Sequence, residues 1–292
     1  FSGCTQLTTI QYHNVNYNPN YSSSPIGGQI FDVVLITLNT TSSYFVIYDK
    51  VPGTNIDVIS IGPNAFQNPA TDANGDNLTN PYLTAITIPD TVTSIGNYAF
   101  DGCTSLTTIT IPDSVTEIGV DAFDSCTDLA TVTISSSSTL HTIGVGAFRD
   151  CFHLKTLGSA PGKIQIPSGI TILNTSIFND CIVIDDVEIL GNVTSIGNYA
   201  FRNCKFSTIT IPDSVITIGT RAFELNPALT TVNIPGSVTS LPSSSADSAF
   251  LGCNTLTTVT LPDSNLYDTN STDFISTYFT LNNSSSSSIE TI

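Results

Sequence analysis

Tryptophan and methionine are absent from the 292 residues, and cations are nearly so: seven Lys and Arg stand against 24 Asp and Glu, a net charge of −17. A groove for nucleic acid or a face for an anionic membrane requires a stripe of Lys and Arg. Seven cations cannot build one, so neither partner is expected. Charged residues of both signs make up only 11% of the chain, and polarity comes from Ser, Thr and Asn instead, a balance that suits β-rich extracellular material. Long apolar runs are missing too. Stretches such as Val33 to Ile36 fall far short of the ~20 residues that a bilayer requires, so no direct membrane insertion is expected. The chain starts at Phe1 without Met, which reads as a processed product or an excised segment.

Catalytic vocabulary is equally sparse. Only His13, His141 and His153 offer imidazole bases, and no G-x-S-x-G, H-E-x-x-H or P-loop pattern occurs. Cys151-Phe152-His153 with His141 lacks the paired spacing of a zinc site. Asp72, Asn74 and Asp76 place oxygens at alternating positions, like the start of a calcium loop. The closing glutamate would fall at residue 83, which is Leu83. The plainer reading is an Asx-rich turn. Asp90, Asp113, Asp213 and Asp263 recur after an apolar-Pro pair and read as turn residues, not as an acid/base pair. The chain reads as a non-enzyme without cofactors.

What the chain does contain is a repeated sentence. Ala99-Phe100 is followed by Cys103, a Thr-rich stretch to Ile111-Pro112, then Asp113-Ser114-Val115 and Ile118-Gly119, and Ala122-Phe123 begins it again. The pivotal residues are Phe1, Phe66, Phe100, Phe123, Phe148, Phe178, Phe201, Phe223 and Phe250, with gaps of 34, 23, 25, 30, 23, 22 and 27 residues from Phe66 onward. Self-similarity at this period predicts a solenoid, in which repeats share one core and contact their neighbours. One unit over 1–292 is expected. Period-two alternation of Ile109 and Ile111 with Thr108 and Thr110 predicts a strand with one buried face. Pro112 ends it, Asp113-Ser114 turn, and Val115 and Ile118 return to the core from the opposite wall. Gly119 is expected to supply a positive φ at a tight corner. Ala-Phe is expected to open a short helical or 3₁₀ turn, with Phe filling each coil.

The run L-x-x-I-x-I-P-x-S-V-x-x-I-G-x-x-A-F-x-x-C, seen from Leu106 to Cys126 and from Ile209 through Phe223, resembles the BspA-type leucine-rich repeat. The resemblance covers most of the chain and implies a β-rich array of short parallel strands. It also implies a protein that is secreted or displayed at a cell surface and associated with adhesion.

Each of the seven cysteines, Cys4, Cys103, Cys126, Cys151, Cys181, Cys204 and Cys253, sits three residues after a pivotal Phe. Pro69 and Asn226 take that place in two repeats, so the position reads as a small packed corner. Coils stacked ~5 Å apart would not forbid bridges between neighbours, which keeps both readings open. Four insertions interrupt the array. Residues 11–55 carry apolar runs at 29–38 and 44–48 that read as a β-hairpin, either covering an end of the solenoid or docking another subunit. Residues 67–82 hold the Asx-rich turn, and 264–288 end in a serine run that reads as a linker. Gly158 to Gly162 is a shorter loop with no evident chemistry.

Function is left to the surface. Thr87, Thr108, Thr110, Thr131, Thr133, Thr208, Thr210, Thr258 and Thr260 should form outward rows able to hydrogen-bond a glycan or a protein, although Thr also simply favours exposed strands. Asn20, Asn39, Asn77, Asn174, Asn192, Asn270, Asn282 and Asn283 open N-glycosylation triplets. At the ends, residues 288–292 read as the S-V-x-x-I part of a repeat, and Phe1 to Cys4 as the F-x-G-C that follows. The chain could therefore be a window of a longer array, or it could stack head to tail on itself through Ile289, Ile292, Phe1 and Cys4 into a filament. Two readings stand: a non-catalytic adhesion or assembly protein, or a carbohydrate- or protein-binding module using the Thr face.

Overall fold

The computed structural model describes residues 10–14, 31–35, 44–47, 49–50, 57–67, 79–242, 245–261 and 288–291. Within them the chain winds as a parallel-strand solenoid of about eight coils. The repeat lays down each regular coil. Thr108–Ile111 is a strand whose Ile109 and Ile111 are buried while Thr108 and Thr110 face out. Pro112 opens a turn closed by the Val115 N–H donating to the Pro112 carbonyl at 3.0 Å, and the same bond recurs at Val92, Val215 and Val238. Ser114 Oγ donates to the carbonyl of Val92 one coil back at 2.6 Å, so the serine of the motif ties coils together. The short strand Glu117–Ile118 then forms the second wall, and Ala122-Phe123 turns the corner.

Stacking these coils gives two walls. On the long-strand wall, seven parallel strands run in the order Val187–Ile189, Ile164–Ile166, Thr156–Gly158, Thr131–Ile134, Thr108–Ile111, Ala85–Thr87, Tyr44–Val46. Four more, Thr208–Thr210, Thr231–Asn233, Thr258–Leu261 and Ser288–Thr291, form a second sheet. The short-strand wall divides likewise, into a sheet ending at Thr142–Ile143 and a three-stranded one beginning at Ile172–Leu173. Between the walls runs one contiguous apolar core from Ile47 to Val259. Its spine is the column from Phe66 to Phe250, eight buried rings stacked with centroids 4.8 to 5.7 Å apart. Burying one phenylalanine contributes roughly 2–3 kcal/mol, and no single coil has enough wall to do so alone.

Four details differ from the sequence-based expectations. The Ala-Phe corners are hydrogen-bonded turns, and Ser245–Asp247 is the one 3₁₀ segment among the described residues. Gly119 does not have a positive φ; a Cβ there would sit 2.6 Å from the Asn97 backbone nitrogen. The glycine column therefore permits close stacking of backbones, while positive φ falls at Tyr98, Asp121 and Ser125 (58°, 49° and 56°), which turn the corner N–H groups toward the next coil. The hairpin expected between 29–38 and 44–48 does not form. Phe31–Leu35 pairs antiparallel with Ile10–Asn14 and parallel with Val58–Ile61, whereas Tyr44–Val46 joins the opposite wall beside Ala85–Thr87. A short apolar run carries no information about which wall it joins, and the solenoid offered both runs a parallel edge. Finally, Ser288–Thr291 pairs with Thr258–Leu261, Ile289 opposite Val259, and so stands at the long-strand position rather than the S-V-x-x-I position. A four-residue stretch with one apolar side chain, Ile289, fits either register.

The short insertion around Gly158 to Gly162 has a structural effect that its composition did not announce. The coil of Phe148 contributes two strands to the long wall, Thr156–Gly158 beside Thr131–Ile134 and Ile164–Ile166 beside Val187–Ile189, where the Phe column has one ring. The short-strand wall breaks at the same level. There Asn174 stands where other coils have glycine, and its Nδ2 donates to the Ile143 carbonyl at 2.6 Å, the acceptor that a backbone N–H takes elsewhere.

Candidate functional site

The outward threonines are brought into register by parallel pairing. Thr108 lies opposite Thr131 and Thr110 opposite Thr133; further along, Thr208, Thr231 and Thr258 form one row and Thr210, Asn233 and Thr260 another. Thr87, Thr108, Thr110, Thr133, Thr208 and Thr210 are exposed, while Thr131, Thr258 and Thr260 are half-buried. Hydroxyls at these positions donate and accept, and the wall carries them without formal charge. They form two patches rather than one face. The widened coil separates them with a charged band in which Lys155 pairs with Asp185 at 2.5 Å and Lys163 with Glu188 at 2.6 Å.

A second charged array runs along the corner beside the Phe column. The residues immediately after the pivotal Phe include Gln67, Asp101, Asp124, Arg149, Asn179, Arg202 and Glu224. Arg149 pairs with Asp124 and lies 3.4 Å from Asp121; Arg202 bridges Asp180 at 3.0 Å and Glu224 at 2.9 Å. Asp101 receives a hydrogen bond from Gln67 Nε2 at 2.6 Å, yet burial and the neighbouring Asp124 and Asp121 push its carboxyl up to about 6. Burial likewise raises Asp121 and Asp150. The ridge is present in the sequence as the residue that follows each pivotal Phe, but it matches no catalytic or metal-binding motif.

The cysteines form an interior ladder. Cys103, Cys126, Cys151, Cys181, Cys204 and Cys253 are free and buried. Cys126 Sγ donates to the Phe100 carbonyl at 3.1 Å, Cys151 to Phe123 at 3.1 Å and Cys181 to Phe148 at 3.0 Å, one coil back in every case. Asn226 substitutes with Nδ2 donating to Phe201 at 2.8 Å. The position thus selects a buried donor as well as a small side chain. Burial pushes the thiols up, Cys253 to about 12.

The other sequence candidates among the described residues do not converge. Cys151 is interior, whereas His153 Nδ1 donates to the Thr127 carbonyl (2.7 Å) and His141 Nδ1 shares a hydrogen bond with Thr142 Oγ1 (3.0 Å), both histidines exposed. Asp113 accepts from Ser137 Oγ at 2.6 Å as an exposed turn residue. Asp72, Asn74, Asp76, Asp263, Phe1, Cys4 and Ile292 lie outside the described residues, as do Asn20, Asn39, Asn77, Asn270, Asn282 and Asn283. Of the two described triplets, Asn192 is exposed, and Asn174 has its amide nitrogen committed to Ile143. No helix among the described residues is long and apolar enough to cross a membrane.

The model of the BspA type leucine-rich repeat region matches six copies over residues 76–161 and 159–278, well over half of the chain. Among solved structures, a leucine-rich repeat protein from Bacteroides ovatus is 24% identical, with 88% of this chain and 72% of that chain covered at a TM-score of 0.53. A leucine rich repeat protein of T. pallidum is 23% identical, covering 67% of this chain and 86% of its own at 0.47. One from Bacteroides capillosus is 28% identical over 46% of this chain and 88% of its own, at 0.36. The first of these likenesses carries the fold. No curated protein matches the chain. With its turn serines, buried donor ladder and Phe column all falling on the matched repeat, the chain belongs to the BspA-type leucine-rich-repeat family.

Proposed function

We propose that this chain is a non-catalytic adhesion module, secreted or displayed at a cell surface, that engages a partner protein through its Thr-covered wall. Proteins of the family are typically surface or secreted and mediate protein interactions, and repeat proteins of this type are generally non-enzymatic. The observation that carries the reading is the in-register exposure of Thr108, Thr110 and Thr133 on adjacent parallel strands, a firm neutral surface on a chain otherwise strongly anionic. Neutral hydroxyls avoid the cost of desolvating charge when a partner docks. Binding of the immobilised chain to a panel of purified extracellular-matrix proteins tests this. A Thr108→Lys/Thr131→Lys variant, still folded by circular dichroism, should lose the interaction that wild type makes. Undiminished binding would place the contact elsewhere.

Self-assembly is the second reading. It is favoured by Ser288–Thr291, which pairs with Thr258–Leu261 and has no strand on its other side among the described residues. An unpaired parallel edge is a template for another strand.

A further inference from the structure

We infer that the mouth of the widened coil is a binding site for the terminal residue of a neutral saccharide, distinct from the Thr wall. Three departures from the repeat converge there. Regular coils close this corner with proline, as at Pro89, Pro112 and Pro212; the coil of Phe123 has Ser135 to Thr139 instead, and the coil of Phe178 has Leu190. Between them the step from Gly158 to Ile164 sets two strands where one would stand, with a would-be Gly158 Cβ only 2.8 Å from Gln165 Cβ. The result is a half-open cavity of about 70 Å³ between Ile134, Gly158, Gln165 and Leu190. At 10–15 Å³ for each water position, that is room for about five to seven waters.

The lining has the chemistry of sugar recognition. Gln165 is held in place: its Oε1 accepts from the Ala160 N–H at 2.8 Å and Ser159 Oγ at 3.1 Å, and its Nε2 donates to Glu188 at 2.9 Å. Ser136 and Ser168 line the same cavity and have no hydrogen-bond partner among the described residues, so their hydroxyls are free to donate and accept as sugar hydroxyls require. Leu190, 51% exposed, and Pro167 offer the apolar surface on which the C–H face of a ring packs. No lining residue is charged, and the molecule as a whole carries −17, so sialylated, sulfated or uronic sugars are repelled where neutral ones are not. A pocket of this size with few polar anchors is expected to bind a single sugar at millimolar affinity and to gain strength through repeated display of chain and ligand.

Titration of the isotope-labelled chain with the methyl glycosides of glucose, galactose, mannose and N-acetylglucosamine, followed by amide shifts, tests the inference. At least one should shift Ser136, Ser168 and Leu190. The effect should weaken by at least about tenfold in Ser168→Phe, which fills the mouth, and in Leu190→Asp. Thr108→Lys should leave it unchanged. The inference is overturned if none of the four shifts these residues, if binding survives both mouth variants, or if glucuronate binds more tightly than glucose. Loss of matrix-protein binding without loss of the sugar response, or the reverse, separates this site from the Thr wall.

Discussion

Asp101 shows how one residue can be set against its own fold. The corner places its carboxylate partly out of water, beside Asp124 and Asp121, and pushes it up to about 6 from the ordinary 3.8. Folding therefore favours the neutral form. The contribution to stability is full below pH 3.8, declines as pH rises between 3.8 and about 6, and stays lost above that. Asp101→Asn, which retains an acceptor for Gln67, should raise the melting temperature at pH 7.5 and converge on wild type at pH 4. A variant that melts lower than wild type at pH 7.5 would mean the charge is stabilising. The pairing of Arg149 with Asp124 beside it is the compensation, one cation placed where acids from neighbouring coils meet. In sequence Asp101 looks like any surface aspartate; only the stacking of coils brings Asp121 and Asp124 within reach of it.

Columns, more than individual strands, are the working elements of this molecule. The cysteine position was legible as a small buried corner from its exchange with Asn226, and its register with Phe was legible outright. Its role as donor to the preceding coil was not, because the acceptor is more than 20 residues away in sequence, as for Cys126 and Phe100. If the donor matters, Cys126→Val, of similar size without a donor, should cost about 1 kcal/mol, and Cys126→Ser should cost less. Urea unfolding midpoints measure both; equal costs would reduce the position to packing. The glycine column teaches a similar lesson. A motif glycine suggested conformational freedom, yet the tertiary reason is proximity: at Gly144 a Cβ would meet the Gly119 carbonyl carbon at 2.4 Å. Strand alternation, in contrast, is legible from Thr108 to Ile111, since a period-two pattern needs only its own residues to specify which face is buried.

Among the described residues, the solenoid is two unequal stacks of coils joined at one widened coil. That coil splits the Thr wall, breaks the short-strand wall and opens the saccharide mouth. If self-assembly through Ser288–Thr291 operates, the 30.9 kDa chain should appear in negative stain as fibres, and deletion of residues 288–292 should abolish them. A monodisperse species of that mass at high concentration would end the assembly reading. The repeat period, the buried face of each strand, the Phe spine and the family could be read directly from the amino acids, because each coil repeats the same local pattern and needs only its neighbour to complete it. Three matters were decided in three dimensions alone: which wall Phe31–Leu35 and Tyr44–Val46 join, where Ser288–Thr291 registers, and what the five residues after Gly158 do to the coil around them. The physical reason is common to all three. An apolar alternation states that a segment is half-buried, but not against which edge; that choice belongs to the hydrogen-bonding groups the rest of the solenoid leaves open.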